Sequence, residues 1–290
     1  MKRVRIGFLL PNYSRESKSN IPRAMRALAD RGVIVDVIHP SPRVVDLTTL
    51  RVEHDLYVLK KISDFTLSIA GALHAQGAII VNPYPVTVAL RDKIICSRIL
   101  QLAGVPTPAT YVVSSHPDRL ALLLEEGPLV VKPYQGACGF EVRVVRSVAE
   151  LAAVRAGKEP VLAQRYHAPE GRDRKIYSIG GRLFGVKKTF PALIEEEKHG
   201  EPFTPAPELC EIALRCGRAF GIDLYGVDII ESEGQPYVVD MSTMPGFKGV
   251  PDAPLHLAEY FYKAAERAAH YRELQEPAAR IEATSPAHVS

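Results

Sequence analysis

Only four cysteines occur in the 290 residues, Cys96, Cys138, Cys210 and Cys216. None stands in a Cys-x-x-Cys pair or beside paired histidines. That spacing argues against a zinc site and a disulfide framework, and fits a reducing cytoplasm. No run of about eighteen apolar residues is present that could span a bilayer. The opening MKRVRIGFLLPNYS has too short an apolar stretch for a signal peptide, with no small-residue cleavage site after it, and reads as a first strand. Excess charge is absent too: 36 Lys+Arg against 33 Asp+Glu leave a net charge of +3. With no basic block interleaved with aromatics, nothing marks a nucleic-acid track. The first ninety residues hold no Gly-x-Gly-x-x-Gly, so they give no sign of a dinucleotide site.

What is present is ordinary globular composition, 47% hydrophobic and 24% charged, in a chain long enough for two or three packed subdomains. From Val4 the pattern runs strand, helix closed by Gly32, strand, then a second set through HDLYVLKKI, DFTLSIAGALHAQGA and IIVNP. This predicts an α/β Rossmann-like layer over residues 1–90. From about residue 91 a helix, VALRDKIICSRILQLAGV, and a Pro-rich connector lead into short strands and helices of an α+β domain reaching about residue 270. The segment 271–290 has too little apolar surface to order itself and is expected to be a disordered tail.

Chemistry enters at the end of that domain. The strands LYGVDII and PYVVDMS flank ESEGQP, a turn with Gly234 near its middle, and so predict an antiparallel hairpin. If the hairpin is symmetric about Gly234, Asp228 falls directly opposite Asp240. Like charges so placed destabilise a sheet. Either both acids face solvent or pair with Lys and Arg, or a hard cation such as Mg²⁺ neutralises them, with Ser242 as a further oxygen on the face of Asp240.

Lys132 ends the apolar run of PLVVKPY, where an ammonium is costly without an anion. A glycine loop follows it, but a strand rather than a helix comes next, so this is not a Walker A loop. Lys93 lies early in RDKIICSRIL, and Lys175, Lys187 and Lys188 lie on a hairpin around Gly180 and Gly181. Alternation turns one of Lys187 and Lys188 inward. Singly, each lysine reads as a solvated surface residue; together with an acidic metal site they suit a polyphosphate.

In the segments NPYPVTVALRDKIICSRILQLAGVPTPAT, VVKPYQGACGFEV, LAQRYHAPEGRDRKIYSIGGRLFGVKK, GIDLYGVDII and VVDMSTMPGF, the sequence resembles the ATP-grasp superfamily. It is most similar to the RimK-like ligases and the related inositol-phosphate kinases. The resemblance implies a Rossmann-like pre-ATP-grasp layer before an ATP-grasp fold of two subdomains, a lid at about 108–165 and a C-terminal part at about 166–270. It puts ATP between these subdomains, with Lys93 and Lys132 on its phosphates and the loop from Gly136 to Gly139 closing over them. The hinge residues Gln164, Arg165 and Tyr166 would meet adenine, the last two through backbone groups, and Asp173 would be an acidic nucleotide contact. Lys175 and Lys187 would meet the terminal phosphate or the reacting substrate, and Asp228, Asp240 and Ser242 would hold Mg²⁺ or Mn²⁺. The family pattern has Glu and Asn where Asp240 and Ser242 stand, and Glu where Arg165 stands.

The function this implies is an ATP-dependent carboxylate–amine ligase acting through an acyl phosphate on a small molecule or peptide. An ATP-dependent kinase of a small polyol or inositol phosphate is the alternative, with Arg15, Lys18, Lys60 and Lys61 as candidates for its acceptor pocket. A nucleotide-binding protein with little turnover is a third reading. A homodimer is compatible with all three; nucleic acid and membrane are not expected partners.

Overall fold

The computed structural model describes residues 3–10, 19–39, 44–60, 63–114, 116–136, 141–154, 159–189, 197 and 199–282. The chain divides into two compact units, residues 1–84 with 252–290, and residues 85–251. None of the described helices is long and apolar enough to cross a membrane.

In the first unit, β1 (Arg5–Leu9), β2 (Ile34–Ile38), β3 (Leu56–Leu59) and β4 (Ile80–Val81) form a parallel sheet in the order β2-β1-β3-β4. Helix α1 (Asn20–Asp30) starts at Ser19, whose hydroxyl accepts from the Ile21 amide. Helix α2 (Asp64–Ala75) starts at Ser63 in the same way. Leu9, Tyr57, Ile69, Ala70 and Leu73 form a core between α2 and the sheet. The closing helix, α7 (Ala253–Glu282), belongs to this unit, with Phe261 edge-on to Phe8. It continues past residue 270, correcting the expected start of a disordered tail. Arg272 helps hold that extension, donating to the His54 carbonyl at 2.6 Å and lying 3.6 Å from Asp55. Residues 283–290 lie outside the described residues.

The second unit opens with α3 (Tyr84–Arg91) and α4 (Lys93–Leu102), where the hydrophobic pattern suggested one helix. Asp92 divides them: its side chain accepts from the amides of Ile94 and Ile95, which makes it an N-cap and Lys93 the first residue of α4. A four-stranded sheet in the order β5-β8-β6-β7 follows, built from β5 (Thr110–Val113), β6 (Leu129–Pro133), β7 (Arg143–Val145) and β8 (Val161–Arg165). One face of it packs Leu129, Val131, Val145 and Ala163 against a 3₁₀ helix (Pro117–Glu126) and α5 (Val148–Ala152). By the period of two, Val130, Lys132, Leu162 and Gln164 stand on the other face.

The second sheet of this unit has the order β11-β10-β9-β12-β13 and is antiparallel throughout. Its strands are β9 (Asp173–Ile179), β10 (Arg182–Lys188), β11 (Glu201–Phe203), β12 (Leu224–Ser232) and β13 (Gln235–Ser242). Helix α6 (Pro207–Phe220) covers one face with Leu209, Ile212, Ala213, Cys216 and Phe220, spaced three and four apart, and ends at Gly221 in the left-handed region, φ 63°. Ile176, Val227, Ile229, Val238 and Met241 complete that core. The polar residues of the same strands are thereby turned to the opposite face.

Candidate active site

Asp228 and Asp240 are directly paired across β12 and β13, and Gly226 pairs with Ser242. The route to this register differs from a symmetric hairpin. The turn is the two-residue Glu233–Gly234, with φ 51° and 70°, and the ladder shifts by one residue between Asp228 and Ile229, whose partners are Asp240 and Val238. Val239 is therefore a bulge. Its carbonyl accepts from Lys132 Nζ at 3.0 Å, so the irregularity that sets the acids opposite each other also supplies an acceptor for a buried lysine.

Each acid is held by a lysine from another element. Lys93 Nζ lies 2.8 Å from Asp240 Oδ1, and Lys175 Nζ lies 2.6 Å and 2.9 Å from the two oxygens of Asp228. Burial would raise the Asp240 carboxyl, but Lys93 and Lys132 outweigh it and hold the group below the usual carboxylate range. For Lys175, burial pulls down and the Asp228 charge more than reverses it, raising the ammonium above its ordinary value. Lys132 is only 7% exposed. Burial, which Asp240 opposes and Lys93 reinforces, pushes it down to about 8.

A pocket lined by Lys93, Lys132, Gln164, Thr107, Val239 and Asp240 joins the β5-β8-β6-β7 sheet to the acid-bearing sheet. Cys96 also lines it, but burial pushes that thiol up to about 12, so it is no nucleophile at neutral pH. Further along, Asp173 stands two residues from Lys175 and opposite Lys188. Burial, then the charge of Asp228, raises its carboxyl to about 6.

One of the expected contacts is corrected. Lys187 does not join this face: antiparallel pairing sets Lys188 opposite Asp173 and Val186 opposite Lys175, and Lys187 turns the other way, 5.6 Å over the Phe203 ring. The inward lysine is Lys188, 5.7 Å over the Tyr177 ring and pushed down to about 8 by burial and then by Lys175. Counting parity from Lys175 through the Gly180–Gly181 turn would have found it. The amides of Arg165 and Tyr166, two of the backbone groups expected to meet adenine, donate to the carbonyls of Ala109 (2.8 Å) and Pro128 (3.0 Å). The Arg165 side chain is turned away from the pocket, donating to the carbonyls of Leu123 and Gly127 at 3.0 Å and 2.7 Å and pairing with Glu126 at 2.9 Å. Gln164, by contrast, is buried in the pocket and donates to Thr110 Oγ1 at 3.2 Å.

Gly136 has φ 147°, a conformation that favours glycine. Gly139 lies outside the described residues, as do Arg15, Lys18 and Lys61; Lys60 follows β3 in the other unit. No cluster of three or more His, Cys, Asp or Glu able to hold a metal occurs among the described residues. The donor set here is two carboxylates and a hydroxyl, which fits a hard cation that takes its remaining oxygens from phosphate and water.

The model of the RimK-like ATP-grasp domain matches residues 90–259. A coenzyme gamma-F420-2:alpha-L-glutamate ligase of Methanococcus maripaludis is 28% identical over 204 residues, covering 66% of this chain and 72% of that protein. A probable alpha-L-glutamate ligase of Sodalis glossinidius is 26% identical over 257 residues, 80% of this chain and 87% of its own. Among solved structures, a RimK domain ATP-grasp protein from Sphaerobacter thermophilus superposes with a TM-score of 0.72 at 20% identity, covering 89% of this chain and 99% of that one. A D-alanine–D-alanine ligase from Bacillus anthracis complexed with ATP does so with 0.66 at 18% identity, covering 95% and 100%. With its family model matched over more than half its length, the chain belongs to the RimK-like ATP-grasp family.

Proposed function

We propose that this protein joins a carboxylic acid to an amine at the expense of ATP, through an acyl phosphate. The observation that carries this reading is the Asp228–Asp240 pair, each acid matched to one lysine, beside a pocket holding a second buried lysine. On this reading the parallel layer of the first unit is the Rossmann-like pre-ATP-grasp layer, and the β5-β8-β6-β7 sheet is the lid. Lys93 and Lys132 bind nucleotide phosphates, Gln164 lies toward the base, and Asp173 is an acidic nucleotide contact. Asp228, Asp240 and Ser242 would hold Mg²⁺ or Mn²⁺, which when bound offsets phosphate charge during transfer.

Lys175 and Lys188, on the face of Asp228, seat the acid's carboxylate toward the terminal phosphorus. A carboxylate oxygen forms the new P–O bond as the bond to ADP breaks. The amine then attacks the acyl carbon; the C–N bond forms as the C–O bond to the phosphoryl group breaks, and inorganic phosphate leaves while the nitrogen gives up a proton to water. No protein nucleophile is needed, in keeping with the raised thiols of Cys96 and Cys216. Relatives are named as glutamate ligases, so glutamate is the first amine to try. The test is ADP release with mixed acids and hydroxylamine, read alongside hydroxamate formation. Hydroxamate formed in step with ADP supports ligation; ADP release that leaves phosphate on a hydroxyl and makes no hydroxamate rejects it.

A further inference from the structure

The pocket that holds Lys132 also holds an amide whose two ends can be told apart. Gln164, 4% exposed, lines this pocket with Lys93, Lys132 and Asp240. It stands opposite Thr110 in the ladder of β5 and β8, and its Nε2 lies 3.2 Å from Thr110 Oγ1. Thr110 Oγ1 in turn lies 2.9 Å from the Pro108 carbonyl oxygen. A side-chain amide has nearly the same shape with its oxygen and nitrogen exchanged, so the end that meets the pocket must follow from its neighbours.

Here the neighbours decide it. A backbone carbonyl only accepts, so the Thr110 hydroxyl gives its single proton to Pro108 and has only lone pairs to offer Gln164. An amide oxygen turned toward those lone pairs would set acceptor against acceptor, whereas Nε2 donates to them. Oε1 is thereby the other end. It has no hydrogen-bond partner among the described residues, yet it is not sealed from its surroundings. The space beside it is the pocket, and a buried acceptor left unmatched there is costly until a ligand or water supplies a donor.

We propose that Thr110 is a positioning residue for nucleotide choice: by fixing the Gln164 amide with Oε1 toward the pocket, it makes the base site take a ring that carries an amino group and reject one that carries a carbonyl in its place. The inference rests on the reading that sets Gln164 toward the base. The 6-amino group of adenine donates to Oε1. The 6-carbonyl of hypoxanthine meets it acceptor to acceptor and leaves both unpaired. Without the Thr110 hydroxyl the amide is free to turn over, and either base then finds a complementary end.

The experiment compares ATP with ITP, which share sugar and phosphates and differ at this edge of the base. Binding to the full chain is read by calorimetry, and turnover by nucleoside-diphosphate release and hydroxamate formation with mixed acids and hydroxylamine. Wild type is expected to favour ATP by at least about thirtyfold, in Kd and in kcat/KM. In T110V, which keeps the side-chain shape, that ratio falls at least about tenfold through weaker ATP and tighter ITP binding, while kcat with ATP stays within about threefold. T110S keeps the hydroxyl and the wild-type ratio. Q164L, which removes both ends of the amide, brings the ratio to within about threefold of one. Equal weakening of both nucleotides in T110V, at an unchanged ratio, marks a merely structural threonine and overturns the proposal. So does a wild type that binds the two alike, or a Q164L that still discriminates. Failure of the folded protein to bind either nucleotide rejects the nucleotide site and the proposal with it. The expected ratios accompanied by ADP release without hydroxamate uphold the proposal and reject ligation alone.

Discussion

Replacing Lys132 with methionine should make the nucleotide-free protein more stable and a poorer binder of ATP. Lys132 is 7% exposed, and its ammonium titrates at about 8 against an ordinary value of 10.5. The depressed value means the fold disfavours the charged form, by about 3 kcal/mol at neutral pH when each pH unit is worth about 1.4 kcal/mol. Methionine has nearly the same length and no charge to desolvate. It forfeits the 3.0 Å bond to the Val239 carbonyl, a loss of about 1 kcal/mol. A net gain of about 2 kcal/mol should raise Tm by roughly 4–8 °C for a unit of this size. The pH dependence has a definite sign. Between about 8 and 10.5 the unfolded chain keeps the proton that the native state has released, so wild type gains stability with rising pH in that window and the variant does not. The stability gap should therefore be full below about 8 and close as pH approaches 10.5. Urea unfolding of both proteins across pH 7–10, with ATP affinity by calorimetry, measures all of this. An equally or less stable K132M at pH 7, or a gap that widens with pH, refutes the reasoning.

The paired lysines of β10 offer a sharper contrast: K188A should lower kcat/KM by about a hundredfold or more, since on the ligase reading it removes a cation that seats the reacting carboxylate, whereas K187A should stay within about threefold; steady-state kinetics of both decides. In D240N, Lys93 and Lys132 lose the carboxylate they share. Because Asp240 is 37% exposed, the destabilisation should be only about 1–2 kcal/mol in urea, and the Mg²⁺ needed for half-maximal activity should rise at least about tenfold. The Asp240 contribution in wild type is full above the ordinary carboxylate value of 3.8 and is lost as pH falls through the lower folded value, so the wild-type advantage over D240N should fade in acid. R165M removes the bonds to Leu123, Gly127 and Glu126; it should cost about 1–3 kcal/mol in thermal unfolding and leave the KM for ATP within about twofold.

How far the sequence reveals this site depends on whether a residue's direction follows from local parity. Asp228 opposite Asp240 was legible, although by a route in which two deviations cancel. The Glu233–Gly234 turn offsets the ladder by one residue from the symmetric reading about Gly234, and the Val239 bulge restores it. Nothing in YVVDM announces a bulge; its cause lies elsewhere, in the Lys132 ammonium that takes the Val239 carbonyl and the Pro106 carbonyl that takes the Val238 amide. Lys188 was one parity count away from being found. The direction of Arg165 is not readable, because two of its three partners are the backbone carbonyls of Leu123 and Gly127, in and just after a 3₁₀ helix some forty residues earlier, and carbonyls leave no mark in a sequence. The helix past residue 270 is hidden in part for a similar reason: the shorter of the two Arg272 contacts is to a carbonyl, that of His54.

The two lysine–aspartate pairs also bear on how such a site can stand folded before its ligands arrive. Two carboxylates facing each other in a sheet cannot both stay ionised without counter-charge, and here each has one already, from α4 and from β9. Neither pair is sealed, since Asp240 keeps 37% and Asp228 30% of its side-chain surface exposed, so desolvation does not lock them. On the ligase reading the same four groups re-pair, with anionic ligand oxygens on the lysine side and a cation on the carboxylate side. A site assembled from acids alone would need its metal to fold. This one carries its own counter-ions, and on the proposed reading Lys93, which pairs with Asp240, is also one of the lysines that meet the nucleotide phosphates.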